Sequence, residues 1–222
     1  MNKLLLAMIT MIVFLLFLMV NEPRKKVYML ESGLKLTKSL RPYLCKYQHK
    51  SFLANDSWRK DDTGHGTVMA ETISRYMDPD RECLVIYKMY DGKPQQKAYL
   101  DALKMVADKG DATALVVAIT DVTFDTSEVE LYSRISKFSE IFVSSGNERK
   151  VLRKGKCDVF PACLKLLVKS PNFKVVGANV EGYNHGPLVD ENHNPKVTIK
   201  GTTHDGTSIS TARAAGEYLS SL

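Results

Sequence analysis

With 222 residues, 44% of them hydrophobic and 25% charged, the chain can bury a core and suits one globular domain plus an appendage; disordered, fibrous and two-domain architectures do not fit. Four cysteines are too few for a miniprotein built on disulfides. A formal charge of +6, with neither a basic stripe nor a reading motif, argues against a nucleic-acid partner.

The first segment, residues 4–20 (LLLAMITMIVFLLFLMV), is uncharged and lies between Lys3 and the basic group Arg24, Lys25 and Lys26. A helix of that length covers ~25 Å, the short limit for crossing a bilayer. No A-x-A-like pair of small residues precedes Asn21, so residues 1–26 are expected to be an uncleaved anchor. A cleavable signal peptide is the rival and a buried core helix the plainest alternative. The expectation is a single N-terminal span carrying an extracytoplasmic domain over 27–222, secreted if the segment is cleaved. Basic residues on both flanks leave the orientation open.

Beyond the anchor, short apolar runs alternate with helical patterns. Residues 27–30 (VYML) predict a strand that leaves the sheet at Glu31-Ser32-Gly33, and 83–90 (CLVIYKMY) predict a second. Residues 95–109 place Ala98, Ala102, Met105 and Val106 on one helical face, with Gly110 closing the helix. A strand is expected at 114–119, a helix at 127–139 capped by Ser127, and further strands at 141–143 and 173–177. Residues 182–205, rich in Gly, Asn, Pro and His, read as loop. Residues 207–222 form a last helix whose many small residues suit close burial. Strands alternating with helices predict an α/β fold with a parallel sheet and helices on both faces. Cys157 can bridge to Cys163 and Cys45 to Cys83, although free buried thiols fit equally well. No C-x-x-C or Cys/His cluster suggests zinc.

Four segments fall at the ends of these elements. They are Glu31-Ser32-Gly33, then Asp61-Asp62-Thr63-Gly64-His65-Gly66-Thr67, then Ser144-Ser145-Gly146-Asn147, and finally Gly206-Thr207-Ser208-Ile209-Ser210. Together they resemble subtilisin-like serine proteases, which place an acid, a GHGT histidine, a Gly-Asn turn and a GTS serine in that order. The stretch between His65 and Asn147, the FPA of residues 160–162 and the VVGA of residues 175–178 continue the likeness, which covers nearly all of 27–216.

The resemblance implies a serine endopeptidase with Ser208 as nucleophile, His65 as general base and Glu31 as orienting acid. Asn147 would be the oxyanion donor, and the partner a protein or peptide substrate. The chemistry explains each residue type. A hydroxyl needs a neighbouring base, an oxyanion needs fixed donors, and the imidazolium needs a carboxylate behind it. Each residue also has a bland reading: Ser208 as a helix N-cap, Asn147 as a turn residue, His65 as a packed histidine. His49, His185 and His204 match no family motif and read as loop or surface residues. Neither cofactor nor metal is expected.

The sequence also departs from the family. The acid is Glu where the family has Asp, Ala212 stands where Pro is usual, and only 14 residues follow Ser208 (222 − 208), predicting a C-terminally short domain. Residues 21–26 leave no room for a propeptide, and the substrate-binding strand carries Thr120-Asp121-Val122 in an unfamiliar form. A catalytically weak or inactive subtilase fold that binds peptides or a partner at the membrane is therefore the alternative. Asp61 and Asp62 are substitute candidates for the acid.

Overall fold

A computed structural model describes residues 11, 23–120 and 122–222. The expected anchor at 4–20 falls, except for Met11, outside the described residues, as does Asp121. Among the described residues no helix is long and apolar enough to cross a membrane.

In chain order the elements are β1 (Lys25–Glu31), β2 (Lys50–Ser51), α1 (His65–Ile73), β3 (Glu82–Lys88), β4 (Tyr90–Asp91) and β5 (Lys93–Pro94). There follow α2 (Gln96–Lys109), β6 (Ala112–Val117), α3 (Thr126–Ile135), β7 (Glu140–Ser144), β8 (Phe173–Ala178), β9 (Glu191–His193), β10 (Lys196–Ile199), β11 (Thr202–Asp205) and α4 (Thr207–Ser220). Seven strands form one parallel sheet in the order β2-β3-β1-β6-β7-β8-β9. β1, where the chain enters the sheet, thus lies near its middle, and the strand order reverses on either side of it.

Both sheet faces are covered, so the strands are apolar on both faces, as buried parallel strands must be. Tyr28 and Leu30 point to one face and Val27 and Met29 to the other, following the two-residue pleat. The first set joins Val85, Tyr87, Leu115, Val143 and Phe173 beneath α2 and α3. The second joins Ile86, Val116, Phe142 and Val176 beneath α1 and α4. The small residues of α4 serve its close packing: a Cβ at Gly216 would lie 2.6 Å from the Tyr76 ring.

Several sequence expectations need correction. α3 is capped by Asp125 instead of Ser127: the Asp125 carboxylate accepts from Ser127 N at 2.8 Å, while Glu128 accepts from Asp125 N at 3.0 Å. This capping box fixes the start, and the helix ends at Ile135 instead of running to residue 139. The region read as loop holds β9 and the antiparallel β10–β11 hairpin, which a two-residue turn at Lys200-Gly201 closes. Strand β6 ends at Val117, two residues early, and frees the Ala118 carbonyl from the ladder. Both cysteine pairs are bridged, Cys45–Cys83 and Cys157–Cys163. His49 lies, as expected, in a loop, but its half-buried ring is engaged: Nδ1 accepts from Ile86 N at 3.1 Å, Nε2 donates to Cys45 O at 2.8 Å, and the ring stacks on Trp58.

Candidate active site

In an open parallel sheet, ligand sites gather beyond the carboxyl ends of the strands, where the order reverses. Glu31 is the last residue of β1 and His65 the first of α1. The Glu31 side chain is fully buried, and its Oε2 lies 2.8 Å from His65 Nδ1. The approach requires Gly66, where a Cβ would stand 2.1 Å from the Gly33 carbonyl. The second glycine of Gly-His-Gly thus has a steric reason, the first turn of α1 resting directly on the exit of β1, whereas Gly64 serves a left-handed backbone at φ 75°.

Asp61 organises that turn. Its carboxylate accepts from Gly64 N at 3.0 Å and Thr67 N at 2.8 Å, satisfying donors that the start of a helix leaves free. It also accepts the Ser32 hydroxyl at 2.7 Å, and Ser32 Oγ in turn accepts from Gly66 N at 3.0 Å. Asp61, weighed above as a substitute acid, therefore cements the base of His65. Glu31 is the acid on the ring.

A third side chain completes this half. Tyr90, in β4, is nearly buried, and its hydroxyl donates to Glu31 Oε2 at 3.2 Å while lying 3.1 Å from His65 Nδ1. Ser32 N adds a further donor to Oε2 at 3.2 Å. The other oxygen, Oε1, is buried without a hydrogen-bond partner among the described residues. Burial acts to lower the His65 pKa, but the charge and hydrogen bond of Glu31, helped by Asp61, outweigh it and hold the imidazole above its ordinary value. Burial, and then the Glu31 charge, push the Tyr90 phenol far up, so it stays a neutral donor.

The serine half is built differently. Ser208 lies in the first turn of α4, where backbone N–H groups and the helix dipole favour negative charge. Its hydroxyl donates to Ala118 O at 3.1 Å, the carbonyl that the early end of β6 frees, and makes no hydrogen bond to His65 among the described residues. Asn147 is exposed, and its Oδ1 accepts from Thr207 N at 2.9 Å and the Thr207 hydroxyl at 3.1 Å. Those bonds consume the amide oxygen and leave Nδ2 as a donor.

His65, Asn147 and Ser208 line one cleft of about 490 Å³, and Glu31 lies beneath His65. His204, read as a bystander, also lines the cleft from β11, while His185 is exposed elsewhere. Tyr90 went unnoticed because CLVIYKMY reads as one core strand. Its signal would have been that the strand stops at Lys88, whose buried ammonium pairs with Asp56 at 2.7 Å, so that Tyr90 leaves the ladder.

No protein-family model matches the chain, and no curated protein matches it in sequence. Its fold, however, is subtilisin-like, as solved structures demonstrate. It superposes on a lanthipeptide protease with a TM-score of 0.68 at 18% identity, over 86% of this chain and 71% of the other. The epidermin leader peptide processing serine protease of Staphylococcus aureus gives 0.65 at 13%, over 88% of this chain and 64% of that protein, so the chain spans less than two thirds of it. A cold-adapted subtilisin-like serine proteinase gives 0.62 at 21% identity, over 86% of this chain and 72% of the other.

Proposed function

We propose that the chain is a serine endopeptidase that cleaves peptide bonds through an acyl-enzyme. The observation that carries this reading is the 2.8 Å contact of a fully buried Glu31 carboxylate with His65, whose ring shares one cleft with Ser208 and Asn147. Glu31 at Nδ1 keeps a proton there and leaves Nε2 free to act as a base. In this mechanism the Ser208 side chain turns away from Ala118 O, and its hydroxyl donates to Nε2 across the shared cleft. The proton passes to Nε2 as Oγ bonds the substrate carbonyl carbon, and the carbonyl oxygen takes the negative charge. Asn147 Nδ2 and Ser208 N are the donors for that oxyanion. Imidazolium then protonates the leaving amine, and water releases the acyl group by the same steps in reverse.

The substrate in this reading is a peptide or protein. Two structural neighbours support it, since their names describe proteases of lanthipeptides and of a leader peptide. The apolar segment at 4–20 would hold the domain at a membrane, and two disulfides support an oxidising, extracytoplasmic side.

The second reading, a subtilisin-like fold that binds peptides without cutting them, draws on one observation: the Ser208 hydroxyl is engaged by Ala118 O. A fluorophosphonate probe on the full-length protein separates the two. Labelling that disappears in Ser208→Ala supports the peptidase; no labelling of the wild-type protein, with intact folding by circular dichroism, supports the binder.

A further inference from the structure

Against the expectation that the chain holds no basic stripe, the loop beyond Asn147 carries a short exposed run of cations that acyl transfer does not use. Residues 149–156 read RKVLRKGK, five cations and no acid, and all are exposed except Leu152. The fold makes the group compact. Lys156 N donates to Arg153 O at 3.0 Å, closing a tight turn with Arg153, Lys154 and Lys156 at three of its four positions. Lys150 pairs with Asp158 at 2.9 Å, whereas Arg149, Arg153, Lys154 and Lys156 have no ion-pair partner among the described residues. Like charges carried on one turn repel, more weakly in water than inside a protein. Such a turn is relieved by an anionic partner.

The loop is also held still. Buried Asn184 accepts from Glu148 N at 3.0 Å and Lys150 N at 2.8 Å, and donates to Ser145 O at 2.7 Å and Glu148 Oε2 at 2.6 Å. Leu152 N donates to His185 O at 2.7 Å, and the Cys157–Cys163 bridge closes the base. Beside the loop lies a cavity of about 730 Å³, lined by Arg149, Asn179, Tyr183 and His185, with Glu181 as its acid. With the backbone of the loop held in place, a partner has only the cationic side chains left to order.

We propose that the Arg153–Lys156 turn, with Arg149 at the neighbouring cavity, is a docking site for a carboxylate-rich stretch of the polypeptide substrate. The proposal rests on the peptidase reading. A polypeptide is favoured because the cations begin two residues after Asn147, on the chain segment that leaves the cleft, and because the cavity adds amide and phenol groups suited to a peptide backbone.

The test uses full-length Ser208→Ala protein and fluorescence anisotropy of two labelled peptides, one built of Glu-Ala-Ser repeats and one of Gln-Ala-Ser repeats. The Glu peptide is expected to bind about tenfold tighter, the sum of a few exposed ion pairs, with an advantage that fades as salt rises. Adding Arg153→Ser, Lys154→Ser and Lys156→Ser should remove the advantage, and Arg153→Lys should keep it. Equal binding of the two peptides, or an advantage that survives the triple change, overturns the proposal. So does tighter binding of a short single-stranded oligonucleotide than of the Glu peptide, or a preference for phosphatidylserine over phosphatidylcholine vesicles that is lost in the triple change and exceeds the preference for Glu over Gln; the phosphatidylcholine arm accounts for insertion of the apolar segment at 4–20. Fluorophosphonate labelling of the triple variant with Ser208 intact should match wild type, so failed docking and a failed peptidase reading remain distinguishable.

Discussion

The two halves of the cleft differ in how much of their geometry is already made. On the side of the proposed acid and base, Glu31, His65, Tyr90, Ser32 and Asp61 form one continuous hydrogen-bonded set around a buried carboxylate. On the side of the proposed nucleophile, the Ser208 hydroxyl donates a hydrogen bond to a backbone carbonyl, and Asn147 is fastened by its oxygen with its nitrogen left unbonded among the described residues. The difference follows from what each half must do. A carboxylate taken out of water needs several donors at all times, whereas a serine hydroxyl and an amide nitrogen must stay available. A one-methylene-longer acid is tolerable under those conditions, because the donors on Oε2 set where the carboxylate sits.

The sharpest way to break this comparison is Glu31→Gln, which keeps the shape, removes the charge and favours the wrong imidazole tautomer. The same change in a trypsin-type triad costs about 10⁴ in kcat, or ~5.5 kcal/mol. A similar loss, with KM nearly unchanged, is expected from steady-state kinetics on a peptide substrate. A Ser208-dependent activity indifferent to the change would remove Glu31 from its role. Next comes Asn147→Ala on the other side. Scaled from subtilisin itself, losing this donor should lower kcat by about 10² to 10³. A substantial part of the anchor on Thr207 N disappears with it, so Asn147→Asp, which keeps the acceptor, removes the donor and sets a negative charge beside the oxyanion, is the control that should lose at least as much.

Much of the sheet was legible because buried parallel strands are apolar throughout and helices repeat at a different period, as at 27–30 and 95–109. The four short segments were legible as element ends for the same reason. What stayed hidden is contact between residues far apart in the chain. Tyr90 meets Glu31 across 59 residues, and the one local sign that separates it from the core tyrosine Tyr87 is Lys88, where the strand between them ends. His204 reads as a loop histidine because its own strand, Thr-Thr-His-Asp, holds no apolar residue, yet β11 carries it to the cleft. The role of Asp61 was ambiguous in sequence since an acid four residues before a histidine can cap the helix or face the ring, and only the positions of Gly64 N and Thr67 N decide.

The smallest effect probes why the acid-base half needs Tyr90. A hydrogen bond to a charged group contributes about 1.5–3 kcal/mol, but His65 and Ser32 keep their hold on Oε2, so Tyr90→Phe should lower kcat only about tenfold. The pH profile is the more specific readout. His65 sits above its ordinary pKa in the folded protein, so its charged pairing with Glu31 adds stability below the unfolded imidazole pKa of ~6.5 and loses it as pH rises through the folded value. Activity runs the opposite way, since only neutral His65 accepts the Ser208 proton, and the acid limb of kcat/KM should lie above ~6.5. The Tyr90 hydroxyl donates to Glu31 and spreads part of its charge. Without it the carboxylate pulls harder on the imidazolium, and the limb should move further up in Tyr90→Phe, while a mere packing residue would leave it in place. A downward move would mean that the phenol oxygen serves chiefly as an acceptor for Nδ1–H, and that the donors on Oε2 are not what positions this longer acid.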